Sequence, residues 1–220
     1  MERIKPSTPF LRELKKIGRR EYDIDAQVGT RDFFLDYCGL FADPELFPSK
    51  IINEQMNKLR ERISKGEISL VRGERLTEDL RERGEAEFVL GYEPKETIAS
   101  YIPVYGWVLI LPAGFEQLVR EDTPKQWGVI MRESHELFLR GSFDRFMSRE
   151  GLRLEMSQRT DPRIDNIMSS RITDEADGML AEFLRTYQKV DPSFKPTSYQ
   201  KRILDKVPDG FVGGSQRIAS

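Results

Sequence analysis

The chain predicts an α+β protein, predominantly helical, around a small sheet formed by residues about 86–111. Three observations carry this. From Thr97 to Phe115 no residue is charged, and the centre of the run, "VYGWVLIL", is β-branched and aromatic, the composition of a buried strand. On both sides of it, apolar residues recur at helical spacing behind recognisable caps. Finally, 220 residues with 38% hydrophobic and 10% aromatic content can bury a sizeable core.

In chain order, Thr8, Pro9 and Gly18 read as N-cap, first helical residue and stop of a helix with Phe10, Leu14 and Ile17 on one stripe. Thr30 to Phe41 is a short, strongly apolar helix. Ser49 caps the next, where Ile52, Met56, Leu59 and Ile63 are spaced by 4, 3 and 4, Glu54/Lys58 and Glu61/Lys65 form exposed pairs, and Gly66 ends it. Two heptads are too few for a coiled coil, so the helix is expected to pack on its own domain. Residues 58–84 are more than half charged, with both signs interleaved around "EISLV" and "RLTEDLRERG"; they read as a solvated helix-strand-helix edge.

Ala86–Pro94 and Glu96–Ile102 look like strands joined by a turn at Glu93, Pro94 and Lys95, leading to a strand from about Val104 to Leu111. The near-continuous apolarity of that strand implies cover on both faces. A membrane helix is the competing reading, but Pro103, Gly106, Pro112 and Gly114 interrupt the run. Thr123 and Pro124 start a helix with Trp127, Ile130, Met131, Leu137 and Phe138 on one face, and Gly151–Ser157 alternates like a strand. Thr173 reads as the cap of a helix with a stripe from Ile172 to Tyr187, and Thr197 with Gln200 as the capping box of a last short helix. The division expected is a basic N-terminal arm or helix (1–20), one α+β body (21–207) and a flexible tail (208–220), with mobile termini.

Basic and acidic residues number 35 and 37, so no global field drives binding to polyanions. The lone Cys38 excludes an internal disulfide and a thiolate cluster; between Tyr37 and Gly39 it reads as a small buried hydrophobe. No secretory signal is visible, and Glu2, Pro6, Pro9 and Glu13 argue against a transit segment. An intracellular, soluble protein is expected, cytoplasmic or within an assembled particle.

Chemistry is sparse. The one histidine, His135 in "ESHELF", lacks the second histidine that a zinc-protease helix needs, since position 139 is Leu; a hydrogen-bonded residue at the core's rim is expected. Carboxylate pairs can hold a catalytic cation. Asp174, Glu175 and Asp177 fall in the first turn of the helix expected after Thr173, and Asp161 precedes Pro162 as a cap, so helix ends account for them. Asp23 and Asp25 would share one side of a strand and are the least explained pair. The glycines of "GFVGGS" match no phosphate-binding pattern, and no hydrolase elbow or kinase set occurs. No cofactor is called for.

The function expected is therefore a non-catalytic interaction or assembly subunit of a larger complex, a virion, secretion apparatus or organelle complex. Residues 1–20 hold seven bases and two acids, a net +5, and residues 21–50 two bases and seven acids, a net −5. Such segregation suits docking within the chain or between chains. Arg12, Lys15, Lys16, Arg19 and Arg20 are the candidate partner-binding residues, with other protein subunits as partners. The alternatives are a metal-dependent phosphoesterase or nuclease using Asp23 and Asp25, with Arg19 and Arg20 on phosphate oxygens, and a nucleic-acid-binding module working through the basic arm.

Overall fold

The computed structural model describes residues 7–82, 97–102, 105–149 and 162–210, with backbone alone at 77, 80–81, 143–149 and 162–169. Among the described residues, eight helices and three strands follow in order: α1 (Pro9–Gly18), α2 (Gln27–Ala42), α3 (Lys50–Ser64), β1 (Ile68–Arg72), α4 (Gly73–Glu82), β2 (Ile98–Ile102), β3 (Gly106–Leu111), α5 (Phe115–Glu121), α6 (Thr123–Arg149), α7 (Pro162–Val190) and α8 (Ser198–Lys206). The mostly helical α+β arrangement read from the sequence is what the chain adopts. Among the described residues no helix is long and apolar enough to cross a membrane.

The sheet has the order β1-β3-β2. β3 is central, antiparallel to β2 and parallel to β1, with Leu70 opposite Leu109 and Ala99 opposite Leu109. Side chains alternate across a strand. Ile68, Leu70, Leu109 and Leu111 therefore join the main core, while Val108 and Ile110 pack with Leu76 of α4. Both faces are covered, as the apolarity of the 104–111 run predicts. One correction concerns the sheet's limits: it is not confined to residues 86–111, because Ile68–Arg72, placed at a solvated edge, supplies the parallel partner and buries Ile68 and Leu70. Residues 86–94 and 151–157, read as strands, lie outside the described residues.

Caps behave as read for α1, α3 and α8. Thr8 Oγ1 accepts from the Leu11 amide at 3.3 Å and Ser49 Oγ from the Ile52 amide at 3.5 Å. At α8 the capping box is complete: Thr197 Oγ1 accepts from the Gln200 amide at 3.3 Å, and Gln200 Oε1 from the Thr197 amide at 2.8 Å. α7 departs from expectation. It begins at Pro162 and runs unbroken through Thr173, so Asp174, Glu175 and Asp177 sit mid-helix, far from the dipole's positive end. Their partners are tertiary: Asp177 accepts from Arg132 Nε of α6 at 3.1 Å, and Lys206 Nζ of α8 lies 3.2 Å from Asp174 and 3.3 Å from Asp177. On α3, Glu61 pairs with Lys65 at 2.5 Å as expected, but Glu54 pairs with Lys50 at 3.8 Å while Lys58 Nζ lies 4.3 Å from the centre of the Phe138 ring.

The core is aromatic. α2 is apolar on several sides because it is surrounded, and Phe33, Phe34, Tyr37 and Phe41 are all buried. Trp127 of α6, 0% exposed, stacks on Tyr37 at 5.6 Å and meets Phe34 and Phe41 at 4.9 and 5.1 Å. Phe10 of α1 closes the ring system, edge-on to Tyr187 of α7 at 5.4 Å and tilted against Phe41 at 5.8 Å.

Candidate interaction surface

α1 is anchored from beneath. Phe10 and Ile17 are buried, and Thr8 Oγ1 donates to the Val190 carbonyl of α7 at 2.7 Å. The residues read as a basic arm thus form, over 9–18, a helix docked on its own chain. With the apolar side fixed, Arg12, Lys15, Lys16 and Arg19 fall at i, i+3, i+4 and i+7 on the opposite side, all exposed. They span about 10 Å at a 1.5 Å rise per residue.

The five candidate bases divide by pairing. Lys16 reaches Glu13 at 2.6 Å. Arg20 donates to Asp36 Oδ2 at 2.6 Å, and Tyr22 donates to the same oxygen at 2.6 Å. The hydrogen bond to Asp36 holds the Arg20 guanidinium above its usual pKa; burial, then the Asp36 bond, raises the Tyr22 phenol. Part of the expected charge complementarity between residues 1–20 and 21–50 is therefore satisfied within the chain, at Arg20 and Asp36. Arg12, Lys15 and Arg19 make no ion pair among the described residues.

Asp23 and Asp25 do not share a strand. Residues 21–26 form a turn, in which the Ala26 amide donates to the Asp23 carbonyl at 3.1 Å. The turn sits against the C-terminal end of β1, where Arg72 Nη1 donates to the Ile24 carbonyl at 2.9 Å and Arg75 Nη2 donates to the Asp25 carbonyl. From α2, Thr30 Oγ1 donates to the Ile24 carbonyl at 3.2 Å. The arginines beside this pair thus grip backbone oxygens. Among the described residues no group of three or more His, Cys, Asp or Glu side chains is placed to hold a metal ion; Asp161 lies outside them.

His135 departs from expectation in its bonding. Its ring is packed among α3, α6 and α7, and neither nitrogen has a hydrogen-bond partner among the described residues. Nε2 is 4.0 Å from Glu175 Oε2. Burial first, and then the charge of Lys58, push the imidazole pKa down to about 4, while burial raises the Glu175 carboxyl. Cys38 is fully buried, and burial raises its thiol pKa far above the usual value, consistent with a core residue. Glu116 is a polar outlier that sequence reasoning did not identify: it is 1% exposed, with both carboxylate oxygens unbonded among the described residues.

A concavity of about 560 Å³ is lined by Glu182, Arg185, Gln188, Lys189, Asp209 and Gly210. Its arginine is committed to the end of α8, donating to the carbonyls of Leu204 (3.2 Å) and Val207 and pairing with Asp209 at 2.7 Å. The start of the 208–220 segment is therefore held; residues 211–220 lie outside the described residues.

Also missed was an acidic counterpart to α1. Glu74, Glu78 and Glu82 of α4, at i, i+4 and i+8, are all exposed. The interleaved charges of residues 58–84 conceal that spacing until the helix is defined. No family model, curated protein or solved structure matches the chain.

Proposed function

We propose that the protein is a non-catalytic interaction or assembly subunit that receives an acidic surface of another protein subunit on the basic face of α1. The observation that supports this is the contrast between the two sides of one short helix. Phe10 and Ile17 fix its orientation in the core, while Arg12, Lys15 and Arg19 stand exposed in one row with no ion pair among the described residues. A row of charges on an already ordered helix loses little backbone entropy on binding. It also gives specificity and salt-sensitive association. A protein partner fits better than nucleic acid because the net charge of −2 leaves no long-range attraction for a polyanion beyond this 10-residue helix.

The test is an Arg12→Glu/Lys15→Glu/Arg19→Glu variant, compared with the wild type in co-purification from the native source. All three side chains are exposed, so the variant should keep the wild-type circular dichroism, with a melting temperature lowered only by the acids placed at the C-terminal end of α1. The wild type is expected to associate at low salt with a protein partner, a different chain or a second copy of this one, and the variant to lose it. Retention of that partner by the variant refutes the proposal, as does a wild-type complex that dissolves on nuclease treatment.

A further inference from the structure

α4 carries the opposite charge pattern at a matching pitch. Glu74, Glu78 and Glu82 cover about 12 Å of helix at a 1.5 Å rise, against about 10 Å for Arg12 to Arg19 on α1. Leu76 of the same helix is 3% exposed and packs on Val108 and Ile110 of the sheet, so α4, like α1, is anchored from beneath. Glu74 lies 3.7 Å from Arg72, whereas Glu78 and Glu82 have no ion pair among the described residues. Arg75 donates to the Asp25 carbonyl, and Arg81 falls three residues after Glu78, so α4 carries four acids against two bases. Among the described residues no ion pair joins α1 to α4 within the chain.

We infer that the acidic surface received by the basic face of α1 is the α4 face of a second copy of this chain. The inference rests on the docking role proposed above and names its partner. Charge complementarity carries it: α1 presents a basic row and α4 a net acidic helix of similar length, both anchored from beneath, and on each some of these charges make no ion pair among the described residues. Two copies that make both α1–α4 contacts form a two-fold, isologous dimer, whereas one α1–α4 contact per pair is heterologous and extends head-to-tail to further copies. One helix against another covers far less than the area of a permanent dimer. The association is therefore weak, concentration-dependent and weakened as salt shortens the screening length to about 8 Å or less.

Sedimentation velocity on the full chain tests this, at several concentrations and at low and high salt. The wild type is expected to show a rising average mass at low salt that high salt abolishes. Arg12→Glu/Lys15→Glu/Arg19→Glu and, separately, Glu78→Lys/Glu82→Lys should each weaken self-association about tenfold or more, since reversal replaces attraction with repulsion in every pair. Mixing the two variants restores association, because each then meets a face of opposite sign. A wild type that stays monomeric at low salt, or variants that do not rescue one another, overturn the inference. If the wild type stays monomeric but co-purifies with a different protein in an α1-dependent way, the docking role stands and only the identity of the partner fails. If neither binding occurs, both fail.

Discussion

α2 holds two glycines, Gly29 and Gly39, and alanine at these two positions should move stability in opposite directions. An alanine Cβ built at Gly29 falls 1.8 Å from the Asp23 carbonyl oxygen, 2.3 Å from its carbon and 3.0 Å from its Cα. These are backbone atoms, and contacts under 3.0 Å are not found, so the turn must retreat from the helix by about 1.2 Å. That turn is held by Arg72, Arg75 and Thr30 on the carbonyls of Ile24 and Asp25 and by Tyr22 edge-on to Phe33 at 5.1 Å. Overpacking of this kind costs about 1–3 kcal/mol, and each hydrogen bond pulled out of line adds about 0.5–1.5 kcal/mol. The helix-forming advantage of alanine returns about 1 kcal/mol at most. Gly29→Ala should therefore destabilise by about 2–4 kcal/mol. At Gly39 the nearest atom to the same Cβ is Arg60 Nη1 at 3.8 Å, ordinary van der Waals contact at the end of a flexible side chain. Gly39→Ala should stabilise by about 0.5–1 kcal/mol. Thermal unfolding read by circular dichroism separates them: at about 2–4 °C per kcal/mol for a chain of this size, the first falls by about 5–15 °C and the second rises by a few degrees. Equal melting temperatures for the two variants would refute the close approach of the turn to α2.

Three further outcomes follow from buried polar groups and caps. His135 has a folded-state pKa of about 4, below its usual 6.5, so its neutral form is favoured in the fold. Its contribution is complete above pH 6.5 and is lost as pH falls toward 4, up to about 3 kcal/mol. Glu175, shifted upward, has the opposite sign and offsets part of it. In urea melts from pH 7 to 4, His135→Leu should flatten this decline without loss of stability at pH 7; an unchanged slope counts against it. Asp177→Ala removes the carboxylate shared by Arg132 and Lys206 and should cost about 2 kcal/mol. That is below the usual penalty for breaking a buried pair because Arg132 keeps Glu133 at 2.6 Å; a cost within error of zero in denaturant titration rejects the role. Thr197→Ala dismantles the capping box of α8 and should cost about 1 kcal/mol, read as amide exchange rising in Ser198–Lys206 ahead of the other helices; uniform exchange contradicts it.

Local chemistry explains which elements were legible. Thr8, Ser49 and Thr197 satisfy helix amides within three residues, so their roles follow from sequence neighbours alone. The 104–111 run was readable as a covered strand because seven of its eight residues are aliphatic or aromatic, with no polar alternation to mark a face toward water. The misreadings share a cause in long-range contacts. "DID" at 23–25 has the alternation of a strand, but Arg72 and Arg75, some fifty residues away, hold it as a turn. Thr173 followed by Asp174, Glu175 and Asp177 has the appearance of a helix start. The acids instead meet Arg132 and Lys206 from two other helices, which accounts for the same residue types at a different place in the fold.

The same distinction governs the interaction surface. The excess of bases in residues 1–20 is a property of composition and was visible at once, but composition cannot say which bases remain available. Arg20 loses its availability to Asp36, sixteen residues on, through a contact that α1 and α2 create by packing. Arg12, Lys15 and Arg19 keep theirs because Phe10 and Ile17 turn the opposite side of α1 into the core. The acidic row on α4 emerges by the same logic, since Leu76 fixes which side of that helix faces the sheet. In both helices a buried apolar residue determines the direction in which the charges point. Replacing Phe10 or Leu76 with a smaller residue should therefore weaken the proposed docking without altering any charge, through loss of helix anchoring.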